Sequence, residues 1–216
     1  LRGQIQPPNS QRGTIAMPYL AKQTTMKHGC IIMASGMGTR FGGNKLMAKL
    51  NGIPLIQYVI QATESRFEQR VVVTRHNDVT KLCHELDVAV ALHNKPHRND
   101  TVRLGMDAIG KCDTVTFFQA DQPLISPSSI TALLCAAENT PEYIWRASFE
   151  GAPGAPVLFP SWTFDELRTL PSGKGGGYVA KQHKELVRCI KVSSRWELFD
   201  VDTPADLILL KKHLGL

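Results

Sequence analysis

Short apolar runs alternate along this chain with stretches of helical period. Residues 30–34 (CIIMA), 70–74 (RVVVT), 88–92 (VAVAL) and 115–119 (VTFFQ) each read as a buried strand. Pro54 sits where a first-turn proline belongs, with Leu55, Ile56, Val59 and Ile60 making an apolar stripe behind it. Asn77 or Asp78 is placed to cap a helix reaching Leu86, Asp100 one reaching Ile109, and Ser126 one running through Ala137. Thr203 and Pro204 open another, with Asp206 as a first-turn acid favoured by the helix dipole. Strand and helix in repeated alternation predict an α/β domain with a mostly parallel central sheet and helices on both faces. No repeat or internal linker divides residues 29–216, which read as one domain. Residues 1–28 have no hydrophobic period and carry a Pro7-Pro8 pair, so they read as a disordered or loosely attached tail. An organellar leader, or sequence upstream of a native start at Met26, are the other readings of that tail.

Composition narrows the picture. A chain of 216 residues with 43% hydrophobic and 20% charged side chains can bury a core, and no apolar run approaches the ~20 residues of a bilayer span. The net charge of +6 owes much to Arg2, Arg12, Lys22 and Lys27, since residues 1–28 contain no acid. The body is then close to neutral, which gives no electrostatic case for a nucleic-acid partner. A cytoplasmic protein without a membrane or nucleic-acid partner is expected. The five cysteines lack any C-x-x-C or zinc spacing and read as reduced, mostly buried thiols. His93 and His97 are four apart, but Pro96 between them breaks a helical metal pair, and they read as solvated loop residues. Trp145, Trp162 and Trp196 read as packing residues.

In a doubly wound sheet, ligands bind beyond the carboxyl ends of the strands. The turn after CIIMA is the richest such place: Ser35-Gly36-Met37-Gly38-Thr39-Arg40-Phe41-Gly42-Gly43-Asn44-Lys45. Its glycines let backbone amides approach an anion, and Arg40 and Lys45 bring fixed positive charge to it. It is neither a dinucleotide fingerprint, which needs glycine where Phe41 stands, nor a Walker loop, which needs Gly-Lys-Ser/Thr where Gly43-Asn44-Lys45 stands.

The stretch from Ala34 to Lys45, followed by Gly52, Pro54 and Leu55, resembles the signature of the nucleotidyltransferases of the molybdenum cofactor guanylyl- and cytidylyltransferase type. Asp121-Gln122-Pro123, residues 151–159 (GAPGAPVLF) and Asp200-Val201-Asp202-Thr203-Pro204 match further motifs of that family in the same order. The chain departs from it at residues 97–102, where hydroxyls are fewer, at residues 170–175, where an aspartate is missing, and at Ala155, which replaces a histidine.

The resemblance implies a three-layer, Rossmann-like nucleotidyltransferase fold. It places a nucleoside triphosphate on Ala34, Ser35, Gly36, Gly38, Thr39, Arg40, Lys45 and Thr101, and gives Arg40, Lys45 and Asp121 catalytic roles. Mg2+ would be held by Asp121 and by Asp202, or Asp200 in its place. The implied reaction is transfer of CMP from CTP to the phosphate of a molybdopterin-type acceptor with release of pyrophosphate, the product passing to a molybdoenzyme. Guanylyl transfer, transfer to a sugar or isoprenoid phosphate, and a non-catalytic nucleotide-binding role remain as alternatives. The glycine-rich residues 172–177 read either as a lid over the acceptor or as a connector.

Overall fold

A computed structural model describes residues 26–216, and the first 25 residues of the predicted tail lie outside them. His28, placed by the sequence in the tail, is the first residue of β1 (His28–Ala34), and its ring Nδ1 pairs with Thr114 Oγ1 at 2.7 Å. A small hairpin of β2 (Lys49–Leu50) and β3 (Ile53–Pro54) leads into α1 (Leu55–Thr63), so Pro54 precedes the helix instead of occupying its first turn. Then come β4 (Gln69–Thr74), α2 (Asn77–Glu85), β5 (Ala89–Leu92), α3 (Arg98–Ala108), β6 (Thr114–Gln119) and α4 (Pro127–Asn139). Ser126 caps α4 as the sequence implied, its hydroxyl accepting from Ser129 N at 3.1 Å. Helix α3 instead begins earlier than expected: His97 is its N-cap, and Asp100 lies in the first turn, accepting from the His97 N–H at 3.4 Å.

The chain finishes with β7 (Ile144–Phe149), β8 (Ala152–Pro160), α5 (Phe164–Arg168), α6 (Gly176–Gln182), β9 (Val187–Lys191) and α7 (Pro204–His213). Seven strands form one sheet in the order β5-β4-β1-β6-β8-β7-β9, in which β8 alone runs antiparallel to its neighbours. The predicted α/β fold with a mostly parallel sheet is therefore the one observed.

Alternation along β1 explains the layers. Cys30, Ile32 and Ala34 join the core beneath α1, α2 and α4, whereas Ile31 joins the core beneath α3, α5 and α6. Gly105 brings α3 close to the sheet, because a Cβ there would meet Ile31 Cγ2 at 2.7 Å. A third cluster of Leu50, Leu55, Val201 and Leu210 seats α7 against the hairpin. Two of the five thiols, Cys30 and Cys83, are buried, but Cys112 is half-buried and Cys135 and Cys189 are exposed, which corrects the expectation of mostly buried thiols. Among the described residues no helix is long and apolar enough to cross a membrane.

Glu197, in the turn before α7, is 4% exposed and ties two loops together. Its carboxylate accepts from the Ser126 N–H at 3.0 Å, the Ser193 N–H at 3.1 Å and the Ser193 hydroxyl at 2.7 Å. Burial would raise its pKa, but the serine hydrogen bonds outweigh that and hold it below the usual carboxylate value. A depressed folded pKa adds stability that is complete above the unfolded value of about 4.3 and is lost as pH falls through the folded one. Glu197→Gln should therefore cost about 1–3 kcal/mol at pH 7 by leaving donors unpaired. The deficit should shrink below about pH 4, as followed by urea unfolding at both pH values; an equal deficit at both would contradict this account.

Candidate active site

Strands β4 and β5 lie to one side of β1 and β6 to the other, so the loops leaving β1 and β6 part company at a topological switch point. A cavity of about 380 Å³ opens there, at the carboxyl ends of the parallel strands. Ser35, Gly36, Gly38, Thr39, Arg40, Lys45, Thr101, Asp121 and Asp202 all line it. Ala34 does not; it is fully buried at the end of β1 beneath the helices.

The glycine loop has a specific local cause. Gly38 adopts φ +62°, and its carbonyl accepts from the Phe41 and Gly42 N–H groups at 2.9 and 3.1 Å, which folds the loop back on itself. Asn44 then caps a short turn over Lys45–Met47 by accepting from the Leu46 N–H at 3.2 Å, and its amide donates to Asp78 Oδ1 at 2.8 Å. This turn points Lys45 inward. Its Nζ donates to Asp121 Oδ2 at 2.6 Å and Asp202 Oδ1 at 2.7 Å, and Arg40 reaches the other oxygen of Asp202 at 2.8 Å. Three segments distant in sequence thus meet on one buried ammonium group.

The charges perturb one another as that geometry requires. Burial alone would lower the pKa of Lys45, but the hydrogen bonds and charges of Asp121 and Asp202 raise it. Asp202 is held below the usual carboxylate value by the Lys45 hydrogen bond, which outweighs its own desolvation, with Lys45 and Arg40 charges adding to the effect. Asp200 is different: crowding of its carboxyl by protein atoms and then the facing Asp121 charge push its pKa up, although the residue is exposed at one edge. Gln122 Nε2 donates to Asp200 Oδ1 at 3.0 Å and to the Leu198 carbonyl, so Asp200 braces the Asp121 loop from behind and does not line the cavity.

The cavity also contains residues outside the glycine loop and the two aspartate motifs. Arg75 follows β4, Lys95 follows β5, and His97 and Arg98 open α3. Five Lys and Arg side chains and two carboxylates line the cavity, an excess of positive charge suited to a polyanion. Arg75 donates to the Lys95 carbonyl, and its buried Nε has no partner among the described residues. The rule that chemistry follows strand ends pointed to both loops. His93 is not the solvated loop residue expected, because both its ring nitrogens are occupied within the protein, by Ser35 at 2.7 Å and by the Lys95 N–H at 3.1 Å.

A second cavity of about 500 Å³ adjoins the first, sharing Met33, Arg98 and Gln119 with it. Its walls combine Phe117, Val157, Phe159 and Tyr178 with Lys174 and Lys181. Glycines 173, 175, 176 and 177 line it, and the chain enters α6 there, so this segment is cavity wall and helix start. None of the three tryptophans lines either cavity.

Residues 30–187 match the family described as the MobA-like NTP transferase domain. The chain is similar to a probable molybdenum cofactor guanylyltransferase of Bacillus cereus, 29% identical over 118 residues, which covers 52% of this chain and 58% of that protein. It is also similar to a 3-deoxy-manno-octulosonate cytidylyltransferase of Herminiimonas arsenicoxydans, 36% identical over 112 residues, covering 50% of this chain and 44% of that one. The chain thus spans about half the length of the curated relatives it matches. Among solved structures, Rv0371c of Mycobacterium tuberculosis H37Rv superimposes with a TM-score of 0.77 at 19% identity, covering 87% of this chain and 99% of that one, which is a likeness of fold.

Proposed function

The chain belongs to the MobA-like NTP transferase family, and on that premise we propose that it transfers CMP from CTP to the phosphate of a molybdopterin-type acceptor, releasing pyrophosphate. The observation that carries the reading is the convergence of Arg40, Lys45, Asp121 and Asp202 on one cavity at the switch point of the sheet.

The triphosphate lies along the glycine loop, where backbone amides and Arg40 meet its oxygens and Arg75 and Lys95 add charge. An oxygen of the acceptor phosphate forms a new bond to the α-phosphorus, and the bond from that phosphorus to the bridging oxygen of the β-phosphate breaks, so pyrophosphate leaves. The attacking phosphate is already anionic near neutral pH, and no general base is needed. The chain's contribution is to position the two phosphates and to offset their charge.

Asp121 and Asp202 are the groups that would hold Mg2+. They already converge on a single positive charge, the Lys45 ammonium, and two carboxylates completed by phosphate oxygens are a usual Mg2+ set. When bound there, the ion would supply further neutralisation of phosphate charge.

The second cavity, lined by aromatic and aliphatic side chains together with Arg98, Lys174 and Lys181, suits a flat anionic acceptor, and Ala155 and Val157 of the GAPGAPVLF strand contribute to its wall. The similarity to a molybdenum cofactor guanylyltransferase supports guanylyl transfer as the second reading. Pyrophosphate release with Mg2+ and molybdopterin, comparing CTP, GTP, ATP and UTP, tests both. Release with CTP that Asp121→Ala abolishes is the expected result. Release with GTP would move the assignment to guanylyl transfer, and silence with all four despite tight nucleotide binding would overturn a catalytic role with this acceptor.

A further inference from the structure

His93 lies outside the residues that touch the cavity, yet it joins three of the segments that shape it. Its backbone N–H donates to the Thr74 carbonyl at 3.0 Å, which fixes the loop after β5 beside the end of β4. Its Nδ1 accepts from the Lys95 N–H at 3.1 Å, so in the neutral ring the proton sits on Nε2. The Ser35 hydroxyl donates to the Val73 carbonyl at 3.0 Å and is therefore free to accept from His93 Nε2–H at 2.7 Å. Every donor in the chain His93–Ser35–Val73 has one acceptor. Burial, then the nearby Arg75 charge, hold the imidazole below its ordinary pKa, against a smaller opposing effect of Asp100, which keeps the ring in the neutral form that this pattern requires.

Ser35 opens the glycine loop, and Lys95, Pro96, His97 and Arg98 form the facing wall of the same cavity. The Ser35–His93 hydrogen bond links the two walls directly. We infer that His93 is a positioning residue which, through Ser35, fixes the separation of the glycine loop from the Lys95–Arg98 wall and so sets affinity for the nucleoside triphosphate. The inference rests on the nucleotide-binding reading of this cavity. It also gives Ser35 a role: its hydroxyl is spent on the link between the walls.

The test is calorimetric binding of Mg-CTP and Mg-GTP to the wild-type chain and to His93→Leu, His93→Gln and Ser35→Ala, with melting temperatures recorded for each. His93→Leu should weaken binding of the preferred nucleotide about tenfold, the equivalent of one lost hydrogen bond. In pyrophosphate release it should raise KM with kcat nearly unchanged. His93→Gln, which keeps an N–H donor at similar reach, should restore most of the affinity. Ser35→Ala should weaken binding to the same degree, and combining it with His93→Leu should add little, because both remove one interaction. Wild-type affinity in His93→Leu, or a loss that glutamine does not restore, overturns the inference while leaving the nucleotide site standing. A folded wild-type chain that binds neither nucleotide overturns the nucleotide reading and the positioning role with it.

Discussion

Lys45→Met should reduce pyrophosphate release at least a hundredfold, and its stability should become dependent on divalent cation. The first effect follows if Lys45 acts on the phosphates as proposed, since deleting one preorganised charge of that kind usually costs on the order of 3 kcal/mol. The second follows from what the ammonium does in the protein without ligand. Lys45 Nζ lies 2.6 Å from Asp121 and 2.7 Å from Asp202, with the lysine side chain 9% exposed. Arg40 continues to offset Asp202 when Lys45 is gone, but Asp121 has no other ion pair among the described residues. Breaking a fully buried pair costs roughly 3–5 kcal/mol, and the solvent that reaches Asp202 reduces this to about 2 kcal/mol here. Methionine fills the space of the lysine stem, so the loss is mainly electrostatic. Addition of Mg2+ should then raise the melting temperature of Lys45→Met by more than that of the wild type. Turnover within a few-fold of wild type would remove Lys45 from the catalytic set, and an equal response of both proteins to Mg2+ would argue against Asp121 and Asp202 as its ligands.

Gly38→Ala should weaken nucleotide binding about a hundredfold or more while leaving the melting temperature close to that of the wild type. Gly38 has φ +62°, and a Cβ on it would lie 2.1 Å from the Gly43 carbonyl oxygen. The obstacle is backbone, so no side-chain rotation relieves it, and the loop must open between Gly38 and Gly43. The bonds from Phe41 N and Gly42 N to the Gly38 carbonyl are then lost, together with the direction in which Arg40 and Lys45 leave the loop. A displacement on the order of 1 Å at such a site costs about a hundredfold or more. Gly42 and Gly43 are exposed and the core lies elsewhere, which is why global stability should change little. Gly42→Ala is the matching control: its φ is +81°, but a Cβ there meets nothing within 4 Å. It should cost only the left-handed backbone penalty, about 1 kcal/mol. Calorimetry of Mg-CTP and Mg-GTP binding to both variants separates the two; full affinity in Gly38→Ala would exclude the loop as the phosphate cradle.

The parallel half of the sheet was legible because each of its strands is a compact apolar run followed by a turn and a helix, although β5, expected to be buried, is a partly exposed edge strand. The antiparallel half was not. Strand β8 carries Pro153, Pro156 and Pro160, residues that argue against a strand. The structure accommodates them because β6 pairs with β8 only from Val157 to Pro160, leaving residues 152–156 bonded on one side alone, to β7. Strand β9 has an exposed edge and charged positions at Arg188 and Lys191, so its pattern resembles a loop. In the site, motif order pointed to the glycine loop, Asp121 and Asp202, which the structure brings together. It was silent on Arg75, Lys95 and His93, whose places depend on how the ends of β4 and β5 align beside β1. The start of α3 was misplaced because Asp100 has the chemistry of a cap, but its carboxylate reaches back to the His97 N–H from inside the first turn.

The bond between Lys45 and Asp202 joins residues 157 positions apart. During synthesis, the glycine loop and the Asp121 loop emerge and can fold while Asp202 is still inside the ribosome. Until residues 200–213 are released and α7 docks on the hairpin, the ammonium has one carboxylate instead of two. The charge cluster is therefore completed only after residues 200–213 have emerged, and a growing chain passes through a stage with the glycine loop in place but without the second carboxylate.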